Sequence, residues 1–266
     1  MILKRITALF CALTMGVTMT ACSPKIKPVK SPDDFDGAKI AVQSSTTSSA
    51  LINEMKNTMK IDVSEYDSIS KCFDKLKKGK VDAVYVDSVV AAYYTDKSED
   101  YKQAWISDEE EPLGICMRKD SEELAEAVNA ALDVLFFEGS MDIIGRKYFG
   151  EDYIPARNVE GLKTFPDYSV PNGVFKVGVQ MGYPPMEYEK DGQYTGFDIE
   201  IATEIATLLN GEVEFVTVSQ KDIYNKLDSG EYDAIISSVS ITPERQEKYL
   251  FSEPYAANAQ SIVVLI

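Results

Sequence analysis

The chain has no histidine. That removes the side chain most often used as a general base and as a metal ligand near neutral pH, so hydrolytic triads and zinc centres are poor expectations. Cysteine is scarce as well, four in 266 residues, with no metal or redox spacing. Cys72 lies in an amphipathic stretch, ISKCFDKLKKG, and Cys116 in a strand-like one, LGICMRK; both read as small buried hydrophobes. Basic residues are in deficit, 27 against 43 acidic, for a net charge of −16. That excess disfavours nucleic acid and anionic membrane surfaces as partners, although one cleft can differ from the surface around it. No cofactor and no metal are expected. Beyond the start of the chain no apolar run approaches membrane length. The hydrophobic content, 45%, suffices for one large core or two small ones.

The start, MILKRITALFCALTMGVTMTAC, sets Lys4 and Arg5 before an apolar run from Ile6 to Ala21. The run is too short to span a bilayer comfortably and is followed by polar SPKIKPVKSPDD, the pattern of an export signal over 1–21 and a tether over 22–30. The small residues before Cys22 resemble the lipobox of bacterial lipoproteins. The resemblance implies lipidation at Cys22 and one lipid anchor as the only membrane attachment. An ordinary signal peptide with an incidental cysteine is the alternative.

The chain repeats itself. KIAVQ (39–43) and KVGVQ (176–180) are each followed by a polar loop, an amphipathic helix, a strand, a second helix and another strand. LKKGKVDA (76–83) then answers LDSGEYDA (227–234), sharing LxxGxxDA. The second copy is lengthened by PPMEYEKDGQYTG, where Asp191-Gly192 predicts a hairpin turn. Two βαβαβ lobes of an α/β protein follow, each with a mainly parallel sheet covered on both faces. In such sheets ligands gather beyond the carboxyl ends of the strands. The polar clusters QSSTTSS, VDS, QMGYPP and SSVSITPER all fall there, so two facing lobes make a ligand cleft.

VGVQMGYPPMEY, GFDIEIATEIA and SSVSITPERQEKYLFSEPY resemble the extracytoplasmic substrate-binding proteins of polar amino acid ABC transporters, solute-binding protein family 3, with the periplasmic binding protein type II fold. The resemblance covers residues from about 36 to 266 in two blocks, and their order is inverted. Family members begin with the block that here starts at Val174, and end with one like GICMRKDSEELAEAVNAALDVLFFEGSMDIIGRKYFG. The resemblance therefore implies a circular permutation: lobe two over 31–112, a return segment of lobe one over 113–150, a linker over 151–173 and the main part of lobe one over 174–266. A monomer is expected, with a lobe-swapped tandem as the alternative. SIVVLI is expected to pair antiparallel with GICMR at the base of the cleft, leaving one continuous strand between lobes, and Lys30 to emerge near Ile266.

TPER (242–245) predicts a helix start, with Thr242 as cap and Pro243 in the first turn. Arg245 in that turn opposes the helix dipole, an odd place for a structural arginine but a good fork for a carboxylate beside free backbone N–H groups. The resemblance gives it the ligand α-carboxylate. Asp87, ending VDAVYVD, reads from sequence alone as an N-cap; the resemblance instead pairs it with the ligand α-ammonium. Ser238 and Ser240 match positions touching the α-groups, and Thr46 and Thr47 match the loop that closes on the carboxylate, although Ser/Thr before a helix also caps. Tyr183 matches an aromatic that stacks on the ligand side chain, with core packing as the alternative. Gln43, Gln180 and Gln220 complete the expected contacts. Gln180 and Gln220 stand where relatives carry an acid and a second stacking aromatic, which favours a neutral polar ligand.

The resulting expectation is a lipid-anchored protein on the outer face of the cell membrane, or periplasmic, that captures an L-amino acid and delivers it to an ABC permease. It is not expected to be an enzyme. A dehydratase-like enzyme on the same fold and a ligand sensor without transport are the rivals.

Overall fold

The computed structural model describes residues 26–151 and 155–266; the export signal and Cys22 lie outside them. The first repeat forms β1 (Lys39–Gln43), α1 (Thr47–Met55), β2 (Asp62–Tyr66), α2 (Ile69–Lys77) and β3 (Ala83–Asp87), followed by α3 (Ser88–Lys97) and the long β4 (Tyr101–Leu113). Next come β5 (Cys116–Arg118), α4 (Glu122–Phe137) and α5 (Ser140–Phe149). The second repeat supplies β6 (Val174–Val179), the hairpin β7 (Tyr188–Lys190) and β8 (Gln193–Thr195), α6 (Phe197–Leu208), β9 (Glu212–Thr217), α7 (Ile223–Asp228) and β10 (Ala234–Ile235). The short α8 (Pro243–Lys248), β11 (Tyr249–Phe251) and β12 (Ala256–Leu265) close the described chain.

Two five-stranded sheets result, ordered β2-β1-β3-β12-β4 and β11-β5-β10-β6-β9. Within each repeat the strands pair in parallel, and the added strands pair antiparallel. Spacing explains the packing. In α2 the residues Ile69, Cys72, Phe73 and Leu76, at i, i+3, i+4 and i+7, are all buried, and Phe73 stacks on Tyr94 with ring centroids 3.7 Å apart. Each such side chain is worth roughly 1.5–3 kcal/mol of burial. The expected hairpin turn is present: Asp191 and Gly192 both have positive φ, 53° and 77°, as a two-residue type I′ turn requires.

The return segment rejoins lobe one, because β5 pairs with β10 and β11. The last eleven residues do not. SIVVLI lies within β12, which pairs with β3 and with β4 in the other sheet, Ile262 opposite Trp105 and Leu265 opposite Tyr101. Both edges of GICMR are already engaged in lobe one, and the apolar side chains of Ile262 and Val263 are fully buried where they are. Lobe two thus holds residues 26–113 and 256–266. The lobes join at two crossings, where Tyr255 N–H donates to Leu113 C=O at 3.0 Å. Both crossings are covalently continuous, so the hinge keeps two strands rather than one. Gly114 sits at this narrow place: a Cβ there would lie 2.7 Å from Ile241 Cδ1.

The expected tether is not free at its end. Lys27 N–H donates to Asp82 Oδ1 at 2.7 Å, and Val29 is buried with Phe35, Tyr85 and Ile262. Asp82 precedes β3, and β12 runs antiparallel to β3 with Val263 opposite Val84. Lys27 and Leu265 therefore gather at one end of the lobe-two sheet. The linker docks in part, with Val170 N–H donating to Leu209 C=O at 3.2 Å and Arg157 pairing with Asp133 at 2.5 Å. Cys72 and Cys116 are free and buried, and burial pushes both thiols up to about 12. Among the described residues no helix is long and apolar enough to cross a membrane.

Candidate functional site

The cleft lies at the carboxyl ends of the repeat strands. Nine of the ten expected contact residues line one pocket there: Thr46, Thr47 and Asp87 from lobe two, and Gln180, Tyr183, Gln220, Ser238, Ser240 and Arg245 from lobe one. The tenth, Gln43, stands behind the wall, its Nε2 donating to Gln180 Oε1 at 2.8 Å. The enclosed space is about 30 Å3, room for a water or two, so anything larger enters only as the lobes part.

Arg245 is placed as TPER dictates. Thr242 caps α8, its Oγ1 accepting from Arg245 N–H at 3.3 Å, and the side chain folds back so that Nη1 donates to Ser240 C=O at 2.8 Å. The guanidinium carbon lies 5.7 Å from the Tyr224 ring centroid. No ion pair among the described residues involves Arg245, which leaves most of its fork for a visiting anion.

Asp87 occupies the N-cap position of α3 without capping it. Ser88 N–H goes to Asn258 Oδ1 at 3.1 Å, and the Asp87 carboxylate turns into the cleft rather than toward the Val89 and Val90 N–H groups that a cap would take. There it accepts from Tyr183 Oη at 2.7 Å and from Gln260 Nε2 at 3.2 Å. Burial pushes the Asp87 carboxyl up, opposed by those hydrogen bonds and by the Arg245 charge. Tyr183 is buried and reaches across the lobes with its hydroxyl.

Thr46 serves as a cap, its Oγ1 accepting from Ser49 N–H at 3.1 Å. Thr47 Oγ1 and Ser240 Oγ are hydrogen-bonded across the cleft at 2.9 Å. Gln220 Nε2 donates to Ser45 C=O at 3.3 Å. Ser238 adopts φ of 50°, a region a non-glycine residue enters only when held. Asp198 Oδ2 holds it, accepting from Ser238 N–H at 2.7 Å.

Several participants escape sequence reasoning. Glu111 accepts from Ser240 Oγ at 3.2 Å and from Gln260 Nε2 at 2.9 Å; burial, then the facing Asp87, push its carboxyl up. Gln260 thus bridges Glu111 and Asp87. The polar alternation of Asn258 and Gln260 in an otherwise apolar strand is the signal that carries them. Ser237, Glu187 and Tyr224 also line the pocket. Among the described residues no cluster of acidic or cysteine side chains suits a metal ion.

A half-buried cation fork in one lobe faces a buried carboxylate in the other, across a cleft lined by hydroxyl and amide groups. Residues 175–265 match the family described as bacterial extracellular solute-binding proteins, family 3. The matched segment is 91 of the chain's 266 residues. It contains all of the lobe-one contacts and β12. Residues 3–112 match a second family, described as NMT1/THI5 like. A relative of this chain is the L-cystine-binding protein TcyJ of Escherichia coli (strain K12), 33% identical over 109 residues, 39% of this chain and 41% of the relative. Another is the probable amino-acid-binding protein YxeM of Bacillus subtilis (strain 168), 31% identical over 93 residues and 35% of each chain. Of solved structures, the arginine-bound form of domain 1 from TmArgBP is 32% identical, with 35% of this chain and 80% of that chain covered and a TM-score of 0.31. The chain spans about two fifths or less of the length of these curated relatives.

Proposed function

We propose that the protein captures one L-amino acid between its lobes, with Arg245 on the α-carboxylate and Asp87 on the α-ammonium, and hands it to an ABC permease. The observation that carries the reading is the placement of these two opposite charges on opposite lobes of one closed cleft. Two charge-assisted contacts to one zwitterion require both lobes at once, so binding energy favours the closed state through hinge closure. Thr47 and Ser240 add hydroxyls to the carboxylate end. Gln180 and Gln220 present amide groups rather than charge to the ligand side chain, which suits a neutral polar amino acid. The names of the relatives, which cite cystine and amino acids in general, fit an amino acid ligand.

Anchoring through a lipid on Cys22 and an extracytoplasmic location belong to the same reading, as does a monomeric, circularly permuted chain. The permutation is supported by the inverted order of the two blocks. The dehydratase rival needs a proton donor over the substrate, and besides Asp87 the acid that lines the cleft is Glu187. Its carboxyl, however, is tied to Ser237 at 2.7 Å and buried away from the opening, which favours binding over catalysis. Thermal-shift screening against the common L-amino acids tests the function, because a ligand at 100 times its Kd stabilises by about 2.7 kcal/mol. One or a few stabilising amino acids are expected; a flat screen at millimolar ligand contradicts the reading.

A further inference from the structure

Beneath the pocket two carboxyl groups meet. Glu187 and Asp198 are 1% and 0% exposed and are brought together where Asp198 N–H donates to Met186 C=O at 2.9 Å and where the two carboxyls hold the adjacent Ser237 and Ser238, yet no lysine or arginine among the described residues pairs with either. Two adjacent buried carboxylates without a cation are not tenable as a doubly charged pair. The hydrogen bonds say which group is ionised. Asp198 receives Ser238 N–H at 2.7 Å, Ser238 Oγ at 3.3 Å and Tyr255 Oη at 2.8 Å, and it stands in the first turn of α6, where the helix dipole favours an anion. Glu187 receives only Ser237 Oγ, on Oε1; its Oε2 is buried and receives nothing. An oxygen in that position is satisfied by carrying a proton and donating it to Asp198.

We propose that Glu187 and Asp198 hold one proton between them, and that this proton positions the binding loop and is therefore required for ligand capture. The link to capture rests on the amino acid reading above. Ser237 Oγ donates to Glu187 and accepts from Gln180 N–H at 3.0 Å, so the pair fixes Gln180. Asp198 holds Ser238 in its left-handed conformation, and Ser240 and Arg245 follow on the same segment. Loss of the proton leaves two like charges in contact, and relief of that repulsion moves the 237–240 loop or the Tyr183–Glu187 turn. Other groups facing the pair are Asp87, Tyr183 and Tyr255, none of them cationic. Burial is the main cause raising both carboxyls, Asp198 to about 6 and Glu187 well above its ordinary range with the Asp198 charge as its second cause.

The sign follows. Folded-state values lie above the unfolded ones, so the folded protein binds the proton more tightly, and stability falls as pH rises from the ordinary carboxyl range through about 6 for Asp198 and on through the higher titration of Glu187. Glu187→Gln separates this from other titrations, since its amide accepts from Ser237 and donates to Asp198 with no proton to lose. Thermal midpoints of ligand-free wild type and Glu187→Gln are measured from about pH 6 to about pH 9, together with the stabilisation given by an equimolar mixture of the common L-amino acids. The wild type is expected to lose stability relative to the variant as pH rises. Its apparent affinity for the mixture is expected to fall by up to about tenfold per pH unit, the limit for one linked proton, while the variant lacks this component. Parallel profiles for the two proteins overturn the proposal. Diverging ligand-free profiles with no stabilisation by the mixture at any pH leave the shared proton supported but overturn the amino acid reading and the link to capture. Should the variant not fold, infrared spectroscopy of the wild type decides: a protonated carboxyl band that persists at neutral pH supports the shared proton, and its absence overturns it.

Discussion

The two lobes begin alike and finish differently. In lobe two Asp82 Oδ2 accepts from Lys39 N–H at 2.8 Å, and in lobe one Asp233 Oδ2 accepts from Lys176 N–H at 2.9 Å. Both aspartates also donate their own N–H to the carbonyl of that lysine, at 2.7 and 2.9 Å. Gly79 and Gly230, with φ of 60° and 73°, end the preceding helices in the same left-handed turn. LxxGxxDA is thus one device used twice to bind a helix end and two strand starts. Past that point the lobes diverge: lobe two contributes an acid, Asp87, and the start of α1, whereas lobe one contributes Arg245 and a run of serines. The repeated residues build the scaffold, and the unrepeated ones carry the chemistry.

The comparison breaks most sharply at Arg245, which has no counterpart in lobe two. Arg245→Ala is expected to cost about 3 kcal/mol of ligand binding or more, roughly a hundredfold in Kd, with the thermal midpoint of the free protein nearly unchanged, because its one direct hydrogen bond in the closed site is to Ser240 C=O. Calorimetric titration beside a melting curve checks both halves. A variant that binds as well as wild type removes the carboxylate from this residue.

The shared device can be tested for its asymmetry. Asp82 receives two backbone N–H groups, from Lys27 and Lys39, and Asp233 receives one, from Lys176. At about 1.5 kcal/mol for each charged hydrogen bond, Asp82→Ala should lose about 3 kcal/mol and Asp233→Ala about half of that in urea denaturation. Equal losses would mean that the Lys27 contact adds nothing and the described end of the tether is not held by Asp82.

Much of the scaffold was legible because local chemistry decides it. Asp191-Gly192 can turn only one way, Thr242-Pro243 starts a helix wherever it stands, and LxxGxxDA announces its own duplication. The destination of SIVVLI was not legible, since an apolar strand carries no mark of which sheet it joins; that depended on β5 being occupied on both sides. The role of Asp87 was undecided for a related reason. Its turn into the cleft depends on Tyr183 and Gln260, 96 and 173 residues away, and no pattern around VDS records that. Glu187 and Asp198 were equally hidden, brought together only when the hairpin folds over the start of α6.

The smallest expected effect sharpens this last point. Asn258→Ala removes the substitute cap of α3 and should cost about 1 kcal/mol of stability. It also removes the side chain that packs Ser88 N–H beside Asp87, loosening Asp87 in the cleft, which should weaken amino acid binding severalfold. Stability loss without any change in affinity would show that Asp87 is held in the cleft by Tyr183 and Gln260 alone.

The central claim is that one zwitterion joins the two unlike halves, Arg245 from one lobe and Asp87 from the other. The most direct measurement is calorimetric titration of wild type and Asp87→Asn with the amino acid found by screening and with its α-hydroxy analogue, which keeps the carboxylate and lacks the ammonium. Wild type should prefer the amino acid by about a hundredfold, and Asp87→Asn should abolish most of that preference while leaving affinity for the hydroxy acid within a few fold. Equal losses for both ligands would contradict the claim and return Asp87 to a structural role.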